Sequence, residues 1–83
     1  MTHYEVGRVL AETHQLPEAV DEFIQAVKLD PANAYAHNDL GIALVQRGDL
    51  KNAFEQFSEA VRIDPAYTDA RRNLDRAQAI MKH

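Results

Sequence analysis

The sequence has 83 residues, of which 27% are charged and 46% hydrophobic, so it predicts one small globular domain and not a disordered tail. Its formal net charge of −4 excludes a general binder of nucleic acid or of anionic membranes, because either would need a basic face. It has no cysteine and no apolar run near the roughly 18 residues of a membrane span, which predicts a soluble chain without membrane insertion and leaves the compartment open, with the cytoplasm favoured.

The first part of the chain predicts two helices. Apolar residues keep helical spacing from Thr2 to about His14 and again from about Pro17 to Lys28. Proline suits the first turn of a helix, where its missing N–H is not needed. The second helix should end at Asp30-Pro31, because the residue before a proline is pushed out of the α region.

Three more helices follow in the same style. We predict helices from Ala34 to about Gln46 and from Lys51 to Arg62, with a turn at Arg47-Gly48-Asp49 between them. A last helix should run from Thr68 to about Lys82, and its opposite face is polar. The apolar face of this last helix is predicted to consist of Ala70, Leu74, Ala77 and Met81.

The chain also repeats itself with a period of 34 residues. Eleven of its first residues are identical to the residue 34 positions further on, where chance would give about two. The matched residues of the first unit are His3, Gly7, Leu10, Leu16, Ala19, Phe23, Ala26, Val27, Asp30, Pro31 and Ala32. The match fades after the second proline, so a third unit begins and does not finish.

This repeat resembles the tetratricopeptide repeat, whose pattern is W-x2-L-G-x2-Y, then A-x3-F, then P. The second unit matches that pattern at Leu40-Gly41, Leu44, Ala53, Phe57, Ala60 and Pro65, and the first unit matches at Val6-Gly7, Leu10, Ala19, Phe23, Ala26 and Pro31. Histidine stands at the position of the pattern's tryptophan, and leucine at that of its tyrosine.

The resemblance implies an all-α fold, a right-handed α-solenoid of antiparallel helix pairs with about five helices. The whole chain, 1–83, would form a single domain. Repeat 1 would cover about residues 1–33, repeat 2 about 34–67, and a capping helix about 68–82. Helices within a hairpin approach closely only where a side chain is short, so we expect Gly7 and Gly41 to make room for Phe23 and Phe57.

The resemblance also implies where a partner would bind. In the family, the first helices of successive repeats line a concave groove that takes a peptide segment of another protein. The positions that match this groove, and that we predict to bind a peptide, include Tyr4, Arg8, Tyr35, Asn38, Ile42, Val45, Arg72 and Arg76. Tyrosine and arginine dominate binding hot spots, and the arginines predict a peptide with acidic groups near an apolar residue. The alternative is that these are ordinary surface residues.

A subclass of the family clamps the terminal carboxylate of a chaperone tail. Its clamp positions here hold Tyr4, Arg8, Asp39, Asp69 and Asn73. Two of these residues are acids that would repel such a ligand, so the sequence predicts no chaperone-tail clamp.

Catalytic and metal-binding patterns do not occur in the sequence. No two of the histidines are spaced four residues apart, and no cysteine accompanies them. Equivalent histidines His3 and His37 should lie about 10 Å apart along a helical stack, too far to share a metal ion. We therefore predict a protein that is not an enzyme and needs no metal and no cofactor.

A second function class remains open. A tetratricopeptide stack needs about three repeats, and the first predicted helix has no capping helix before it. Its apolar stripe of Val6, Val9, Leu10 and Thr13 would be uncovered. The alternatives to a peptide-binding module are a self-assembling structural piece that pairs through this helix, or the terminal repeats of a larger protein whose activity lies elsewhere.

Overall fold

A computed structural model describes residues 3–12 and 15–82 of the chain. Five helices account for nearly all of these residues: α1 (His3–Glu12), α2 (Leu16–Leu29), α3 (Ala34–Arg47), α4 (Leu50–Ile63) and α5 (Thr68–Met81). Each helix packs mainly against its neighbours in the chain, so that α1 and α2 form one hairpin, α3 and α4 a second, and α5 covers the second hairpin. The structure confirms the predicted number and order of the helices.

Local signals explain where the helices begin and end. The side chain of Asn33 caps α3 by accepting a hydrogen bond from the Ala36 N–H at 3.1 Å, and Asp49 caps α4 in the same way through the N–H of Asn52. Gly48 ends α3 with a φ of 89°, a left-handed conformation that costs glycine least. Its N–H donates to the carbonyl of Val45 at 2.9 Å. The tight turn between α3 and α4 is therefore built by the left-handed Gly48, its hydrogen bond to Val45 and the side-chain cap of Asp49.

Small residues allow the two helices of each hairpin to approach closely. A Cβ atom added at Gly41 would lie 2.5 Å from Cε1 of Phe57, and one added at Gly7 would lie 2.8 Å from Cδ1 of Phe23. Both phenylalanine rings are almost fully buried. The ring of each second helix thus fills the space that the missing side chain of the first helix leaves, which confirms the prediction from the repeat.

The core consists of two clusters of buried side chains. The larger one joins both hairpins to α5, and its buried members are Ala19, Val20, Phe23, Leu40, Ala43, Leu44, Ala53, Phe57 and Ala77. The smaller one lies where α3, α4 and α5 meet, and it is built on Ala34, Ala60 and Ala70 with Ile63 and Tyr67 packed against them. The two clusters hold α5 against the second hairpin.

Helix α5 buries only part of the apolar face predicted for it. Its buried face contains Ala70 and Ala77, with Leu74 half-buried, but Met81 is 47% exposed. The helix packs mainly on α4, which leaves its last turn uncovered in the described part of the chain. The neighbouring Ile80 is exposed as well, so the end of α5 presents two apolar side chains and not a wholly polar cap.

Candidate functional site

A cleft runs between α3 and α5, the first helices of two successive units. It consists of two adjoining concavities of about 270 and 290 Å³, which we call the apolar and the polar compartment. Ile42, Asn73 and Arg76 line both compartments. We refer to the two together as the α3–α5 cleft.

The apolar compartment lies toward the C-terminal ends of the two helices. Phe57 and Ala77 form its buried floor. The exposed side chains of Ile42, Val45 and Ile80 form its walls. Among its lining residues Arg76 alone carries a charge, so the compartment suits an apolar side chain better than a charged one.

The polar compartment lies toward the N-terminal ends of the same helices. Besides the three shared residues, it is lined by Asn38, Asp39, Tyr67, Asp69 and Arg72. Its charged side chains are thus two aspartates and two arginines. On α5 these charges lie on one face at helical spacing, first Asp69 and then Arg72 and Arg76.

A hydrogen-bonded network forms the base of the polar compartment. Asn38 is 3% exposed, and its amide donates to the hydroxyl of Tyr67 at 3.2 Å while its oxygen accepts from the amide of Asn73 at 3.0 Å. The ring of Tyr67 also meets the ring of Tyr35 edge to face, with centroids 5.0 Å apart. Side chains from α3, α5 and the turn before α5 therefore hold one another in place.

The electrostatics of the same network show where negative charge is concentrated. Burial raises the pKa of Tyr67 above its usual range, and the charge of Asp39 adds to this effect. Asp69 raises the pKa further, whereas the hydrogen bond from Asn38 lowers it. The hydroxyl of Tyr67 is therefore neutral at ordinary pH and lies in a negative field.

Five of the eight residues predicted to bind a peptide lie in this cleft: Asn38, Ile42, Val45, Arg72 and Arg76. Tyr35 lies beside it, exposed and in contact with Tyr67. Arg8 is exposed on α1, away from these two compartments. Tyr4 belongs to α1, but its side chain lies outside the described residues.

The structure adds residues that the sequence did not single out as groove residues. Tyr67 lies in a turn and not on a first helix. The sequence could have indicated it, because Tyr67 aligns with the capping residue Asn33, where an aromatic ring is unexpected. Ile80 continues the helical spacing of Arg72 and Arg76 and could have been found from it. Asn38 and Asn73 are 35 residues apart, so a comparison of residues one 34-residue repeat apart does not indicate their hydrogen bond.

The histidines at the tryptophan position make hydrogen bonds within their hairpins. His37 is buried, its Nε2–H donates to the carbonyl of Pro31 at 2.8 Å, and its Nδ1 lies 2.7 Å from Oε1 of the Gln56 amide, whose oxygen and nitrogen can exchange places by a flip. A neutral ring satisfies both contacts when the Gln56 amide presents its NH2 group to Nδ1. His3 contacts Glu22 at the equivalent position of the first hairpin.

Among residues 3–12 and 15–82, no three histidine or carboxylate side chains come together as a metal site would require. No helix of this part of the chain combines the length and apolarity that crossing a membrane requires.

Antiparallel helix hairpins stacked in chain order, with a cleft between successive first helices, define an all-α, right-handed α-solenoid. Within this class, the tetratricopeptide repeat profile matches residues 4–68, and the chain belongs to that family. No curated protein matches the sequence significantly.

Solved structures show the same fold. The second TPR of Spaghetti (RPAP3), solved with the HSP90 peptide SRMEEVD, superposes with a TM-score of 0.92 at 16% identity, over 96% of this chain and 74% of that one. The crystal structure of MamA gives a TM-score of 0.92 at 21% identity over 96% of this chain. This chain spans about half of MamA, 47% of its length. At these identities the likeness concerns the fold alone.

Proposed function

We propose that this chain is a non-catalytic protein-interaction module that binds a peptide segment of a partner in the α3–α5 cleft. The observation that carries the proposal is the junction at Arg76, where a compartment lined by apolar side chains meets one lined by charged side chains. Such a junction can bury an apolar side chain and pair a carboxylate of the same ligand.

The size of the cleft suits side chains of a peptide. The compartments, at about 270 and 290 Å³, are each slightly smaller than the usual range for whole ligand pockets. Burying one leucine-sized side chain contributes about 1.5–3 kcal/mol. Binding should therefore be modest in affinity and depend on several contacts along the ligand.

The partner should differ from an acidic chaperone tail. The RPAP3 repeat, which shares this fold, was solved with the HSP90 peptide SRMEEVD. In the present chain Asp39 and Asp69 line the polar compartment, and a ligand with consecutive acids would approach both of them. We propose that single acidic groups of a partner are bound by Arg72 and Arg76, as the sequence predicted.

Each part of the chain has a role in this module. We propose that residues 1–33 and 34–67 act as two repeats and that residues 68–82 close the second one. Helix α5 then has two roles. One face covers the core through Ala70 and Ala77, and another lines the cleft through Arg72 and Arg76.

Selection from a displayed peptide library tests this function. The immobilised full chain should enrich peptides that bind in titration, and Ile42→Asp should weaken them at least about tenfold because a charge in the apolar wall is costly. Leu29→Asp is the matched control, since Leu29 is more exposed than Ile42 and lies outside both compartments. Peptides that bind both variants equally well would exclude the cleft as the binding site.

Self-assembly through α1 is the second candidate function. Val9 of the predicted stripe is exposed and Val6 half-buried, while the side chains of Leu10 and Thr13 lie outside the described residues. Light scattering across a concentration series tests it. A rising mass that Val9→Asp abolishes would support pairing through α1, and a constant monomer mass would rule it out.

A further inference from the structure

We propose that the peptide recognised by this cleft carries a basic side chain, a carboxylate and a large apolar side chain, in that spatial order. The basic group would lie at Asp39 and Asp69, the carboxylate at Arg72 and Arg76, and the apolar group in the apolar compartment. The inference rests on the proposed function and adds the order of the ligand's chemistry to it.

The order follows from one face of α5. Asp69, Arg72, Arg76 and Ile80 succeed one another at three- and four-residue spacing, so their side chains project into the cleft in sequence. With about 1.5 Å of rise per residue, the arginine pair lies about 7 Å and Ile80 about 16 Å along the helix from Asp69. An extended peptide covers these distances in about two and about five residues.

The acidic end is formed by residues of two helices. Asp39 of α3 and Asp69 of α5 line the same compartment, and both raise the pKa of Tyr67, which shows that their fields add near its hydroxyl. Tyr67 and Asn38 below them are neutral, and the arginines of the compartment, Arg72 and Arg76, follow Asp69 further along α5. A ligand cation would therefore be attracted to this end of the cleft.

The basic middle lies at the boundary between the compartments. Arg72 lines only the polar compartment, whereas Arg76 lines both. A guanidinium can hold a carboxylate by two parallel hydrogen bonds, which fixes the position of the acid along the ligand. A carboxylate held there places the following part of the peptide beside Ile42 and Ile80.

Synthetic peptides test the order directly. We would titrate the full chain with a fluorescent glycine–serine peptide that carries arginine, glutamate about two residues further on and leucine about three residues beyond, together with its reversed sequence. One of the two should bind, and a peptide of the same composition with the order glutamate, arginine, leucine should bind about tenfold more weakly. Equal binding of all orders would overturn the inference.

Charge exchange provides a second, independent measurement. Asp69→Arg should weaken the arginine-containing peptide about five- to tenfold and strengthen the one with glutamate at that place. Arg76→Glu should show the converse preference at the acidic position of the peptide. Asp75→Arg and Arg71→Glu are the matched controls, because both residues are exposed on α5 outside the two compartments. Circular dichroism of each variant establishes that the helices are retained.

The failures of the two proposals are distinguishable. Library peptides that lose affinity for Ile42→Asp but show no preferred charge order would sink the inference and leave the cleft as the binding site. Library peptides with no dependence on Ile42 would contradict the proposed function itself. Loss of the charge-order preference in the control variants would also count against the inference, since neither residue touches the cleft.

Discussion

The two repeats carry identical residues at eleven equivalent positions, yet the surroundings of these residues differ. Gly7 and Gly41 both face a phenylalanine ring, but the approach at Gly41 is closer, 2.5 Å against 2.8 Å for an added Cβ atom. Helix α3 packs between α2 and α4, whereas α1 packs mainly on α2. A helix with neighbours on both sides cannot shift to relieve a clash, so position in the stack decides how strictly a residue is required.

The histidine pairs teach the same lesson. His37 is 7% exposed and bonds to both Pro31 and Gln56, while the side chain of His3 is 45% exposed and contacts Glu22 alone among the described partners. The contacts of His37 are therefore enclosed, whereas the contact of His3 with Glu22 is exposed to solvent. Two histidines at equivalent positions therefore contribute differently to the free energy of unfolding.

The turns that follow the two hairpins differ in sequence as well. Asn33 caps α3 with its side chain, whereas Tyr67 at the equivalent place makes no such bond and instead joins the network of Asn38 and Tyr35. The second turn therefore lacks a side-chain helix cap but places an aromatic ring beside the cleft. Asn33 therefore stabilises a helix, whereas Tyr67 at the equivalent place helps to build the cleft.

The glycine comparison should give the largest effect. An alanine at Gly41 would overpack the enclosed Phe57, and after the gain in helix propensity we expect Gly41→Ala to lower the free energy of unfolding by about 2 kcal/mol. Gly7→Ala should cost less than about 1 kcal/mol, because α1 can move away from Phe23. Urea unfolding of both variants measures the difference. Equal losses would show that the two hairpins are equally constrained.

The histidine comparison should give the next largest effect. We expect His37→Phe to destabilise the fold by about 1.5 kcal/mol, because the carbonyl of Pro31 and the amide of Gln56 lose their buried partner. His3→Phe removes an exposed contact and should cost about 0.5 kcal/mol or less. Thermal unfolding followed by circular dichroism tests both. A larger loss of stability from His3→Phe than from His37→Phe would contradict the prediction that the enclosed histidine matters more.

The caps should give a smaller difference. Asn33→Ala should cost about 1 kcal/mol through the lost bond to the Ala36 N–H. Tyr67→Asn would restore a cap to α5 but remove the contacts with Asn38 and Tyr35, so we expect little net change in unfolding free energy. That variant should nevertheless weaken a selected cleft peptide. Unchanged peptide affinity would mean that Tyr67 has no part in the site.

The smallest effect concerns the pH dependence of stability. Because the folded-state pKa of Tyr67 is raised, the stability that its neutral hydroxyl contributes is present below the unfolded pKa of about 10 and is lost as the pH rises through the folded value. Tyr67→Phe should therefore lose less stability than the parent between about pH 9 and about pH 11. Urea titrations at both pH values provide the measurement, and identical slopes would contradict the raised pKa.

The sequence by itself determined the helices, the repeat and the contact of each glycine with its phenylalanine. These depend on local periodicity and on one period of 34 residues, both of which are visible in the printed chain. It also indicated Ile42, Val45, Arg72 and Arg76, because the resemblance to a known repeat assigns residues to the face of each first helix.

Only the tertiary structure decided how these faces meet. The bond between Asn38 and Asn73 joins residues 35 apart, and the ring of Tyr67 reaches the cleft from a turn. The division of the cleft into a polar and an apolar compartment depends on how α3 and α5 are placed relative to one another. That placement is set by packing of the hairpins and α5 on their shared core, which no single segment of the sequence encodes.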